Sequence, residues 1–166
     1  MKRRLKILLF CLCSLTLISW DRETKNLAKE HLKNKEPLSY LHDTFRLDYV
    51  ENTGAAMNLG DGLSKTLSFW LLGILPMIFL LIIFIYAIKR SNKFSFVKML
   101  PFALIFAGGM GNIIDRLLFD RHVPDFMNIG FNNIRTGIFN FADVWVTIGV
   151  ASLALIYRNK KPNVTA

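Results

Sequence analysis

"LSFWLLGILPMIFLLIIFIYAI", residues 67–88, runs for 22 residues without a charged side chain. Roughly 20 apolar residues span the hydrocarbon core of a bilayer as helix, at about 1.5 Å of rise each. This stretch decides the fold class: it reads as a membrane helix. Three further spans follow outward from it, about 96–116, 138–157 and 5–21. The whole is 166 residues, enough for one domain. Hydrophobic residues make up 52%, a fraction that soluble domains also reach, so their distribution carries the reading.

The first span has a rival reading. "MKRRLKILLFCLCSLTLISW", residues 1–20, has the basic start and apolar middle of a secretory signal. It ends Leu17-Ile18-Ser19-Trp20, without the small residues that precede a cleavage site. Cys11 and Cys13 follow Phe10 and Leu12, so neither resembles a lipid-attachment site. We read a retained helix with Lys6 snorkelling at one end. With both cysteines inside it, neither an extracytoplasmic disulfide nor a metal cluster is expected.

Charge gives the orientation. Lys2, Arg3, Arg4 and Lys6 precede the first span; Lys89, Arg90, Lys93 and Lys98 lie between the second and third; Arg158, Lys160 and Lys161 follow the fourth. All 12 acids fall instead within residues 21–66 or 115–143. The positive-inside rule places both termini and the 89–98 loop in the cytoplasm, with segments 22–66 and 117–137 outside. The net charge of +9 therefore reflects topology and needs no nucleic acid partner. Its basic ends can also touch anionic membrane lipids.

The outer segments carry structure of their own. Asp21 to Lys35 has helical character, and Phe45, Leu47 and Tyr49 alternate with polar residues as in a short strand. "NTGAAMNLGDG" and "DRHVPDFMNIGFNNIRTG" read as turn-rich connections. Pro76 and Pro101 are expected to bend their helices.

Several polar residues gather at the outer edge of the spans. In "GGMGNIIDR", Gly108, Gly111 and Asn112 share a helix face on which another backbone can approach closely. Asp115 and Arg116 suit an interfacial salt bridge. Asp125, in "VPDF", reads by itself as a turn aspartate. Asp143, in "FNFADVWVTIG", stands among aromatic and aliphatic residues. If its helix starts at Asn140, Asp143 completes a cap resembling a capping box and suits the helix dipole. If the helix starts near Ile138, Asp143 lies roughly 7 Å inside the span.

Topology brings Asp21, Asp115, Asp125 and Asp143 to one side and nearly one depth, with Asn112, Asn140 and Arg116. Two carboxylates close together in a poorly hydrated site do not both ionise easily. One then serves as proton donor and the other as base toward water, without metal or cofactor. A transporter or assembly factor is the competing class, since intramembrane acids also mark ion paths. Against it, no Asp or Glu lies mid-membrane or near the cytoplasmic face. A metallohydrolase using His31, His42 or His122 lacks any tight ligand spacing.

Five ordered motifs make the chain resemble the bacterial lipoprotein signal peptidase (signal peptidase II) family. They are D-x-x-x-K at Asp21 and Lys25; N-x-G-A at Asn52, Gly54 and Ala55; G-N-x-x-D-R at Gly111, Asn112, Asp115 and Arg116; V-x-D-F at Val123, Asp125 and Phe126; and F-N-x-A-D at Phe139, Asn140, Ala142 and Asp143. The resemblance implies a mainly α integral membrane protein of four transmembrane helices with a small extracytoplasmic β-rich cradle on residues 36–60 and 117–137. It implies a bacterial inner-membrane aspartic endopeptidase with Asp125 and Asp143 as catalytic pair. Asp21, Lys25, Asn52, Gly54, Asn112, Asp115, Arg116, Val123, Asn140 and Ala142 would bind substrate or support the pair. The implied substrate is the signal peptide of a diacylglyceryl-modified prolipoprotein, cut before the lipidated cysteine. Globomycin-type cyclic peptides would inhibit. Two departures touch the pocket edge: Arg22 and Glu23 stand where glutamine is frequent, and Met57 where an aromatic residue is frequent.

Overall fold

The computed structural model describes residues 1–54, 60 and 62–158. Met57 and Ala55 lie outside the described residues. The chain is mainly helical, with a small antiparallel sheet at one end of a helix bundle.

Helix α1 spans Arg3–Leu32 without a break. At 30 residues it is roughly 45 Å long, so the span near 5–21 and the helical character after Asp21 belong to one rod. Its buried residues are Phe10, Ser14, Asp21, Lys25, Ala28 and Leu32, one stripe at helical spacing. The stripe is apolar or small at its start and charged at Asp21 and Lys25, where the site lies.

Helix α2 spans Lys65–Arg90. The Ser64 hydroxyl caps it by accepting from Leu67 N–H. Its second and third turns, Phe69–Ile74, widen to π-helix, with Leu75 N–H donating to the Trp70 carbonyl. Pro76 has no N–H and crowds the preceding turn, and the wide turn just before it relieves that clash. Lys6 donates to the carbonyls of Ser91 and Phe94, both at 2.7 Å, and so closes the far end of α2.

Helix α3, Phe96–Leu118, is central and packs on the other three helices. Glycines make this possible. A side chain at Gly108 would collide with the Ala142 carbonyl, and a Cβ at Gly111 would stand 2.6 Å from an Asp21 oxygen. Helix α4 spans Phe141–Arg158. It begins at Phe141 rather than near Ile138, because Phe139 is committed to the sheet: its N–H donates to Met127 O and its carbonyl accepts from Met127 N–H, both at 2.8 Å. Helices α2, α3 and α4 are each long and apolar enough to cross a membrane.

The sheet has the order β1-β2-β3-β4, all antiparallel, from Leu38–Tyr40, Phe45–Asn52, Val123–Phe131 and Ile134–Arg135. The turn-rich connection around Asp125 is thus mostly strand. Val50 pairs with Asp125 and Asn52 with Val123, past a register shift between Leu47 and Val50. Phe126 and Met127 of β3 form one apolar cluster with Ala28 and Leu32 of α1. That contact sets the active end of β3 against the start of α4.

Candidate active site

Asp143 is the third residue of α4, and Asn140 is its cap. Asp143 Oδ2 accepts from the Asn140 N–H at 3.1 Å, while Asn140 Oδ1 accepts from the Asp143 N–H at 3.1 Å. This is a reciprocal capping box, so the simplest reading of Asp143 describes real geometry. It is incomplete. The other carboxylate oxygen, Oδ1, accepts from the Asn112 amide at 2.8 Å, which points it away from pure capping and toward α3.

Asp125 reaches the same place from β3. It is a buried strand residue, 4% exposed, not a turn residue. Its two oxygens accept from Asn140 Nδ2 at 2.6 Å and Asn52 Nδ2 at 3.0 Å. Asn140 therefore holds both aspartates: its side-chain amide grips Asp125 and its backbone N–H grips Asp143. Burial pushes the Asp125 carboxyl up to about 6, and the negative charge of Asp143 adds to the rise; the Asn52 and Asn140 donors oppose it.

Behind the pair lies an ionic layer. Lys25 Nζ, on α1, sits 2.6 Å from Asp21 and 2.7 Å from Asp115 and donates to Asn112 Oδ1 at 3.0 Å. Asp21 in turn accepts from the Ala142 N–H at 2.9 Å, another free donor of the α4 start. Arg22 pairs with Asp115 at 2.9 Å. Because Lys25 occupies the oxygen side of the Asn112 amide, its NH₂ is left facing Asp143.

Asp125 and Asp143 open onto a cavity of about 410 Å³, with Asn52, Asn112, Arg116 and Val123 in its wall. Arg116 donates to the Gly54 carbonyl at 2.8 Å, which fixes the strand β2 exit beside it. Of the residues expected at the site, Asp21, Lys25, Asp115, Asn140 and Ala142 stand behind the cavity wall as supports. The sequence reading missed Thr147 and Val146, which also line it. Their spacings of four and three from Asp143 carry that signal. Thr136, Ile138 and Pro76 are also in the wall, and no local pattern announces them.

The arrangement combines an acid that burial raises to about 6, a second carboxylate beside it, neutral amides fixing both, and a mostly apolar cavity. It supports acid–base chemistry on a polar bond carried by an apolar ligand. The model of the signal peptidase (SPase) II family matches residues 13–158. The chain belongs to the signal peptidase II family. It is 36% identical over 152 residues to a lipoprotein signal peptidase of Fusobacterium nucleatum, covering 90% of this chain and 87% of that one. It is 34% identical over 146 residues to a lipoprotein signal peptidase of Borrelia turicatae, covering 85% and 84%. A solved structure described as a bacterial membrane enzyme, by the in meso method at 2.3 Å resolution, superposes with a TM-score of 0.74 at 27% identity, covering 95% of this chain and 94% of that one.

Proposed function

We propose that this chain is an aspartic endopeptidase that removes the signal peptide of diacylglyceryl-modified prolipoproteins, cutting before the lipidated cysteine. The observation that carries the reading is the placement of Asp125 and Asp143 on either side of Asn140, at the wall of one cavity. Asp143 takes a proton from water as that water attacks the scissile carbonyl. Asp125 gives its proton to the carbonyl oxygen and stabilises the charge that develops there. Collapse of the tetrahedral intermediate breaks the C–N bond as Asp125 takes back the proton from the oxygen that becomes the new carbonyl, and the proton held on Asp143 passes to the departing amine. Arg116, in the same wall, holds substrate backbone, and a globomycin-type cyclic peptide would compete there.

In this reading the chain has four spans with both termini cytoplasmic and works at the outer surface of the bacterial inner membrane; the basic segments at 2–6, 89–98 and 158–161 support that orientation. Helix α1 is the fourth span, through its residues before Asp21. A transporter needs polar groups across the whole bilayer, and the acids of this chain are confined to the outer end.

The test is cleavage of a lipidated prolipoprotein by the purified protein in detergent, with and without EDTA. Cleavage that persists in EDTA and disappears in Asp125→Asn is the expected result. Cleavage abolished by EDTA would move the chemistry to a metal, and no cleavage at all would return the chain to the transporter class.

A further inference from the structure

A second cavity, about 300 Å³, lies on the opposite side of the polar layer from the aspartates. Arg22, Lys29 and Lys33 line it from α1, facing Phe119, Tyr49 and Glu51. We propose that this cavity binds the phosphate of an outer-leaflet phospholipid headgroup. The proposal rests on the membrane placement given above, and not on the catalytic roles.

Arg22 is built for such a ligand. One nitrogen pairs with Asp115 at 2.9 Å, and the guanidinium carbon lies 4.7 Å from the Phe119 ring centroid. The group is thus fixed by a carboxylate and a ring face. Among the described residues, its remaining N–H groups have no acceptor. Lys29 stands two turns further along α1, 6.0 Å from the same ring; among the described residues it closes no salt bridge, and its charge acts only at longer range on Glu51. Lys33 is neutralised by Glu51 at 2.6 Å and closes the far wall. The helix dipole accounts for cations at Lys29, in the last turn of α1, and at Lys33, its C-cap, but its effect does not reach Arg22.

Depth selects the lipid as the source of the phosphate. Arg22 follows Asp21 at the end of the span, and Lys29 lies roughly 10 Å above it along the axis. Each headgroup layer is about 5–8 Å thick, so the two cations bracket it. Leu118, 68% exposed beside Phe119, offers an apolar surface on which an acyl chain can lie below that phosphate.

The experiment uses purified full-length Asp125→Asn protein in detergent, so that catalysis plays no part. Retention of dioleoylphosphatidylglycerol is read by native mass spectrometry. Arg22→Gln and Lys29→Gln are each expected to weaken retention roughly fivefold, and the double variant roughly 25-fold. Lys98→Gln, at the other end of the bundle, should leave it unchanged. Arg22→Lys keeps the charge but loses the planar contact with Phe119, and should retain lipid better than Arg22→Gln. Equal retention by the double variant and its parent would overturn the proposal. So would displacement of the lipid by an equimolar concentration of inorganic phosphate, which would make free phosphate the ligand, or by an acidic peptide. Thiol labelling of cysteines at Asn34 and Asn92 separately tests the membrane placement. Reaction at Asn92 in intact spheroplasts would remove this premise and, with it, the outer-surface placement of the aspartates, whereas cleavage lost in Asp125→Asn with lipid retention unaffected by Arg22→Gln would sink the lipid site alone.

Discussion

Two pairs of carboxylates meet at the same end of the helix bundle, and they are bridged by opposite chemistry. Asp21 and Asp115 are joined by the Lys25 ammonium, at 2.6 and 2.7 Å. Asp125 and Asp143 are joined by Asn140, through a side-chain amide at 2.6 Å and a backbone N–H at 3.1 Å. A cation between two buried acids compensates charge, and the result is a fixed structural joint between α1 and α3. An amide between a buried acid, Asp125, and a half-buried one, Asp143, supplies geometry without charge. The second pair therefore has reason to keep a proton, and a retained proton is available for chemistry. One buried asparagine in place of a lysine separates a joint from an active site.

The comparison breaks first if Asp125 does not matter. Asp125→Asn should lower cleavage at least 10³-fold, on the order of the loss for a residue in a catalytic unit, while membrane insertion stays near normal. Asp125→Asn/Asp143→Asn should be no worse than either single change, because residues acting together fail together. Additive losses would show two independent contributions and no shared unit.

The ionic pair should respond in stability. Lys25→Met leaves Asp21 and Asp115 buried without their common cation, and should cost about 3–5 kcal/mol in unfolding measurements. Activity falls with it, since Asn112 loses the group that fixes its orientation. A Lys25→Met protein as stable as the parent would show that the joint is not held by charge.

A steric change sharpens the same boundary. Gly111→Ala puts a Cβ 2.6 Å from Asp21 Oδ2. It should displace Asp21 from the α4 start and destabilise by roughly 1–3 kcal/mol, read as a lower Tm. A smaller loss of cleavage should accompany it, because Asp143 keeps its own cap on Asn140.

The smallest effect is a displacement along the pH axis. Asp125 is raised to about 6 in the folded protein, so the donor form is populated below that pH. kcat/KM should therefore fall as pH rises through about 6. The same raised value makes the folded state bind the proton more tightly than the unfolded one. Its contribution to stability is present below the ordinary carboxylate range and is lost as pH rises through about 6. Asn52 donates to the charged form, so Asn52→Ala should move the falling limb to higher pH. A limb that stays in place would show that the acid is not Asp125.

Much of this was readable in the sequence, at the level of which residues share a depth. The uncharged run at 67–88 and the placement of the acids put Asp21, Asp115, Asp125 and Asp143 at one end before any contact was known. Gly108 and Gly111 announced close helix approach, and Gly111 meets Asp21 itself. Other features depended on tertiary partners. Pro124 and the Asn and Gly residues around it suggest a turn, yet Asp125 lies in a strand because β2 supplies the ladder. The apolar run before Asn140 suggests helix, yet Phe139 bridges to Met127 and the helix starts after it. Arg22 looked like a departure at the pocket edge, and its pairing with Asp115 depends on where α3 ends.

The most direct test of the central claim is Asp143→Asn, measured for both cleavage and thermal stability. Asparagine keeps a carbonyl that can accept from the Asn140 N–H, so capping largely survives, but it cannot accept a proton from water. The account predicts a protein with near-parental Tm and no detectable cleavage. An Asp143→Asn protein that still cleaves lipidated prolipoprotein would reduce Asp143 to a helix cap and contradict the account.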